Sequence, residues 1–118
     1  MKLAIVGSRT ISDINLSDYI TEKPDTIISG GARGIDTLAA EYARQNGIEL
    51  IEYIPNYNKY GRSAPIIRNR QIIEACDKVL AIWDGQSHGT LNSINLAKKL
   101  GKKLVVIDSN YNEKIFVF

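Results

Sequence analysis

Cysteine and histidine occur once each in this chain, tryptophan once and proline three times, and no apolar run is longer than a few residues. A lone cysteine, Cys76, excludes an internal disulfide and fits a reducing compartment, so the expected location is the cytoplasm. Cys76 and His88 are the only soft ligands, too few for a zinc site, and neither a metal nor a cofactor is expected. Runs far short of the roughly 20 apolar residues that cross a bilayer give no membrane span. No basic-apolar-small pattern at the N-terminus marks a signal peptide. Charge of neither sign dominates: 15 Lys and Arg against 13 Asp and Glu leave a net charge of +2, too small by itself to argue for nucleic acid. With 44% apolar and 24% charged residues, 118 residues make an ordinary globular composition and one domain, 1–118.

What is present concentrates in Ser29-Gly30-Gly31-Ala32-Arg33-Gly34-Ile35-Asp36. The stretch follows the apolar run Thr26 to Ile28 and opens a segment with apolar residues at Ile35, Leu38, Ala39, Tyr42 and Ala43, one face of a helix. The order is strand, glycine-rich turn, helix. A simple turn rarely needs three glycines in five positions, and glycines let backbone come close to another group. The helix start adds unpaired N–H groups and a positive dipole end, which favour an anion, phosphate above all.

The remaining chain repeats that order. Lys2 to Val6 is a strand ending at Gly7-Ser8-Arg9, and a polar turn then leads to a helix through Leu16, Tyr19 and Ile20, closed before Pro24. The helix after the glycine turn runs to Gly47. Glu49 to Ile54 is a third strand, Asn56 to Ala64 a loop, and Pro65 starts a helix with Asn69, Ile72, Ile73 and Cys76 on one stripe. Lys78 to Trp83 is nearly all apolar and therefore central. Asp84 to Gly89 is a second glycine-containing turn, followed by a helix through Ser93, Leu96, Ala97 and Leu100 and a fifth strand, Leu104 to Ile107. The tail Ile115 to Phe118 is a candidate edge strand that the sequence does not settle. Alternating strands and helices give an α/β fold, a three-layer Rossmann-like sandwich with a mainly parallel five- or six-stranded sheet.

In such a sheet every strand-to-helix turn lies at the carboxyl edge, where ligands bind. The unusual turns are all of this kind: Gly7-Ser8-Arg9, Gly30 to Gly34, and Gly85 to Thr90. The helix-to-strand turns Lys23-Pro24, Asn46-Gly47 and Gly101-Lys102 are plain. Between Glu52 and Glu74 there is no acidic residue, while Lys59, Arg62, Arg68 and Arg70 fall there with Tyr57 and Tyr60; this stretch hangs over the same edge and suits phosphate and base stacking, or else is a solvated loop. Backbone N–H groups of Gly30 to Gly34 and of Ser87 to Thr90 are candidates to hold phosphate. Arg33 and Arg68 would neutralise its charge, and Ser8, Asn69 and Asp36 would orient a sugar or brace loops. Trp83, ending a central strand beside Asp84, or Tyr60 would stack on a base; His88 is a candidate general acid or a solvated loop residue. Asp36 also fits simple capping, and Cys76 inert packing.

Together, Gly7-Ser8-Arg9, Ser29 to Asp36, Tyr60-Gly61-Arg62, Arg68-Asn69-Arg70, Trp83-Asp84-Gly85 and Ser87-His88-Gly89-Thr90 resemble the SLOG superfamily. That superfamily groups the Rossmann domain of DNA-processing protein A with the Lonely Guy phosphoribohydrolases, and the similarity is to its small single-domain YspA-like branch. The resemblance implies a sensor or processing domain holding a nucleotide or nucleotide-derived ligand in the glycine turns, and self-association as a homo-oligomer. Two alternatives follow from the relatives. In Lonely Guy enzymes an arginine and a glutamate cleave the N-glycosidic bond of a nucleoside monophosphate; Arg68 matches the arginine and Gly89-Thr90 the Gly-Thr pair, but Ser93 stands at the glutamate position. In DNA-processing protein A the motif matched by Ser29 to Asp36 helps form a single-stranded DNA phosphate pocket. A weakly charged single domain would bind such strands poorly unless it oligomerised.

Overall fold

The computed structural model describes residues 1–108 and 110–117 and contains six strands and four α-helices. In chain order these are β1 (Lys2–Gly7), β2 (Thr26–Ser29), α1 (Ile35–Gln45), β3 (Glu49–Glu52), α2 (Tyr57–Tyr60), α3 (Ala64–Ala75), β4 (Lys78–Ile82), α4 (His88–Lys99), β5 (Lys103–Ile107) and β6 (Glu113–Phe116). The sheet order is β3-β2-β1-β4-β5-β6, parallel from β3 through β5, with β6 antiparallel at the edge. The expected edge strand is therefore present, two residues earlier than the sequence suggested, while Phe118 lies outside the described residues. No helix is long and apolar enough to cross a membrane among the described residues.

Alternation along the central strands makes two cores. Leu3 and Ile5 of β1, Leu80 and Ile82 of β4, and Val105 and Ile107 of β5 pack on Ile35, Ala39 and Ala43 of α1. Ala4 and Val6, Val79 and Ala81, and Leu104 pack on Ile72, Ile73, Ile94 and Ala97 of α3 and α4. Cys76 is buried in this second core, and burial pushes its thiol up to about 11, which keeps it protonated and inert at neutral pH.

Two expectations are corrected. The segment through Leu16, Tyr19 and Ile20 forms only a single 3₁₀ turn, Leu16–Asp18. Its apolar side chains do cover the sheet, with Ile14 and Leu16 buried in the first core. Ser12, Asp13, Asn15, Ser17 and Asp18 crowd the segment with short polar side chains that compete for backbone groups; Asn15 Oδ1 accepts from both the N–H and the hydroxyl of Ser17. Second, the stretch Asn56 to Ala64 is not an open loop. It holds α2, capped by the Asn56 side chain on the Lys59 N–H, then a 3₁₀ turn Gly61–Ser63 that runs into α3.

Strand order reverses between β1 and β4, whose carboxyl ends lie side by side with Gly7 opposite Ile82. The turns after β1, β2 and β4 therefore meet above the centre of the sheet.

Candidate functional site

A cleft of about 440 Å³ opens where those turns meet. Of the residues singled out in the sequence, Gly7 and Arg9 line it from the first turn. Gly30, Ala32 and Asp36 line it from the second, Arg68 and Asn69 from α3, and Asp84, Ser87, Gly89 and Thr90 from the third turn. Ser8 and Ser29 are buried and do not line the cleft, nor do Gly31, Arg33, Gly34, Trp83, Gly85 and His88. Val6, Thr10, Pro65, Ile72, Gln86 and Ser93 line it as well. The signal for Pro65 and Ile72 was available: they stand one turn either side of Arg68 and Asn69 on α3.

The turns are tied to one another through side chains. Arg68 is buried, at 8% exposed. Its Nη1 donates to the Gly30 carbonyl at 2.8 Å and to the Tyr53 carbonyl at 3.5 Å. Its Nε donates to Asn69 Oδ1 at 3.0 Å, and Asn69 Nδ2 donates to the Gly89 carbonyl at 3.4 Å. A single chain of hydrogen bonds thus runs from one glycine turn through α3 to the other. Gly30 has to be glycine for this: a β-carbon there would lie 2.6 Å from Arg68 Nη1 and 3.0 Å from Asp36 Oδ2.

Asp36 accepts from the Ala32 N–H at 3.1 Å and so closes the glycine turn onto α1. Burial raises its carboxyl above the ordinary range, opposed by the Ala32 N–H and the Arg68 charge. Burial also lowers the Arg68 guanidinium; Asp36 opposes that shift, and the nearby Arg9 charge adds to it. Gly34 is the N-cap of α1, with φ +71° and no side-chain cap on the helix. Its α-carbon faces the backbone of Arg9, where a β-carbon would come within 2.5 Å of the Arg9 carbonyl oxygen.

The third turn is organised by Asp84. Its Oδ1 accepts from the N–H groups of Gln86 and Ser87 at 2.9 and 2.8 Å, and Oδ2 accepts from the Thr10 hydroxyl at 3.0 Å. The Asp84 N–H donates to Ser8 Oγ at 3.1 Å. The two backbone donors hold its carboxyl below the usual carboxylate range. Ser87 caps α4 by accepting from the Thr90 N–H at 3.4 Å. That leaves the N–H groups of His88 and Gly89 without an acceptor among the described residues. Trp83 is half-buried on the second core, and its Nε1 donates to the Ser87 carbonyl at 2.9 Å, which braces the turn from behind. Ser93 donates to the Gly89 carbonyl at 3.3 Å, so the position where the Lonely Guy pattern has glutamate carries a hydroxyl used within its own helix.

The basic stretch does not form one face. Arg68 points inward, Arg70 pairs with Glu74 at 3.3 Å, and Lys59 Nζ lies 5.1 Å from the Tyr60 ring centroid.

The family model described as the YspA, cpYpsA-related SLOG family matches residues 1–60, just over half of the chain. The chain belongs to this SLOG family. The matched part contains the first two turns of the SLOG cleft and its Arg9, Gly30 and Asp36. No curated protein matches the sequence. Among solved structures the chain is similar to one titled "Structural insights into the unique single-stranded DNA binding mode of DNA processing protein A from Helicobacter pylori". The identity is 25% and the TM-score 0.73, over 97% of this SLOG chain and 68% of that one.

Proposed function

We propose that the cleft binds a nucleotide unit by its phosphate, as a sensing or processing domain. The observation that carries this reading is the pairing of two helix starts at one cleft, α1 without a side-chain cap and α4 with the N–H of its cleft-lining Gly89 free of any acceptor among the described residues. Both dipoles favour an anion there. Arg9 is exposed, lines the cleft and makes no ion pair among the described residues, and its charge acts on Arg68. A phosphate beside Arg9 would relieve that repulsion. Arg68 then works chiefly as the brace between turns, and Arg9 is the cation for the ligand.

A second reading is favoured by the structural likeness to DNA processing protein A from Helicobacter pylori, which binds single-stranded DNA. Here the nucleotide unit would belong to a strand, with the same phosphate position. The N-glycosidase reading, in which Arg68 would be catalytic, has less support: Asp36 and Asp84, the carboxylates lining the cleft, are both held by backbone N–H groups.

The test compares Arg9→Ala with Arg68→Ala by calorimetry and thermal unfolding against 5′-nucleotides and a short single strand. Arg9→Ala should leave the unliganded protein as stable as the parent and weaken binding about ten-fold, the loss of one charge-assisted contact. Arg68→Ala should lower stability by about 2–3 kcal/mol, because buried carbonyls lose their donor. Unchanged affinity in Arg9→Ala would remove the phosphate assignment. A parent protein stabilised by no nucleotide and no strand would sink the reading altogether.

A further inference from the structure

A second cavity of about 310 Å³ lies on the far side of α3, lined by Glu52, Tyr53, Ile54, Asn56, Lys59, Tyr60, Ala64, Ile67, Arg68 and Gln71. Pro65, Arg68, Asn69 and Ile72 face the first cleft, whereas Ala64, Ile67, Arg68 and Gln71 face this one. These are two adjacent stripes of the same helix. Arg68 belongs to both and is the wall between them. The two cavities are thus neighbours along the carboxyl edge, separated by one side chain.

The lining has the mixture that a nucleobase needs. Tyr60 contributes an aromatic ring, and Ile54, 62% exposed, contributes apolar surface left open at the rim. Glu52 and Gln71 have no hydrogen-bond or ion-pair partner among the described residues, so an acceptor and an amide stand free to meet a base edge. Lys59 sits against the Tyr60 ring, its Nζ 5.1 Å from the centroid, and supplies a cation beside the ring. The starts of α1 and α4, which meet at the first cleft, do not reach this cavity; the start of α3 at Ala64 forms part of its wall.

The geometry points to a two-nucleotide ligand, with one unit in the first cleft and the base of its neighbour in this second cavity, stacked on Tyr60 and read by Glu52 and Gln71. The inference rests on the proposed phosphate site and extends it from one unit to two. Base stacking on an aromatic side chain tolerates every base, while the Glu52 carboxylate accepts from the exocyclic amine of cytosine; on thymine it meets only the N3–H, flanked by two carbonyl oxygens that repel it. The ligand is thus a dinucleotide step with an amino-bearing base at the second position.

The test measures calorimetric affinities of the full chain for dCMP, pdCpdC and pdTpdT, in the parent and in Tyr60→Leu and Gln71→Ala. Gln71 is exposed, so the second variant keeps a readout if the first disturbs packing. The parent should bind pdCpdC about ten-fold or more tighter than dCMP, the size of one stacked base, and tighter than pdTpdT. Tyr60→Leu should erase most of that advantage, and Gln71→Ala should narrow it, with dCMP affinity unchanged in both. Equal affinities of the parent for dCMP and pdCpdC would overturn the second subsite and leave the phosphate site standing. So would an advantage that survives in both variants. A parent that binds none of the three overturns both readings together.

Discussion

Asp36 is buried between α1 and the glycine turn, and burial raises its carboxyl against the pull of the Ala32 N–H and the Arg68 charge. The native state therefore holds this proton to higher pH than the unfolded chain does. Stability contributed by the protonated form is fully present below the ordinary value of 3.8 and is lost as pH rises through the raised native value. Asp84 has the opposite sign: its two backbone donors hold the carboxyl low, so its contribution is present above 3.8 and lost as pH falls through the lowered value. In Asp36→Asn the amide oxygen still accepts from Ala32, and no charge has to be buried. Urea unfolding from about pH 4 to neutrality should show this variant gaining on the parent as pH rises, then keeping a constant lead or a reduced deficit. A stability difference independent of pH would mean that Asp36 titrates as an ordinary carboxyl.

Among the elements, the start of α1 depends most on one position. Gly34 takes a left-handed φ of +71°, and its α-carbon meets the Arg9 backbone. Alanine there would carry about 1–2 kcal/mol of backbone strain and would also push the first and second turns apart. Gly34→Ala should lower unfolding free energy by about 2–4 kcal/mol in urea titrations; a loss below about 0.5 kcal/mol would show that the two turns do not bear on each other. This contact was only half legible in the sequence. The glycine cluster announced a turn and a helix start, and the apolar run of β4 announced a central strand, because both signals are local. That Gly34 touches Arg9 needs the β1 and β2 turns to be neighbours, which strand order supplies. Arg68 shows the same limit: on a helical stripe an arginine reads as surface, and its acceptors are carbonyls at Gly30 and Tyr53, far off in sequence. The segment Ser12 to Asp18 failed for another reason. Its apolar spacing was real and does cover the sheet, but the short polar side chains between those positions bind backbone and stop a helix after one turn.

For the molecule as a whole, charge is a weak lever. The net charge is +2, the first cleft sets Arg9 and Arg68 against Asp36 and Asp84, and Arg70 is spent on Glu74. Arg33 does not line the cleft and Arg62 lines neither cavity. A strand bound along this edge therefore meets Arg9 in one cavity and Lys59 in the other, with Arg68 buried between them and engaged with backbone. Each phosphate neutralised on a single strand contributes about −0.7 to the slope of log affinity against log salt. Two such contacts predict a slope of about −1.4, so affinity for a short single strand should fall only about ten-fold between roughly 50 and 300 mM salt. Binding would then depend more on helix starts, stacking and base edges than on counterion release, and it would be selective for short segments. A measured slope of about −4 or steeper would require more cations than the two cavities expose, and would move the strand to a surface built from more than one copy of the chain.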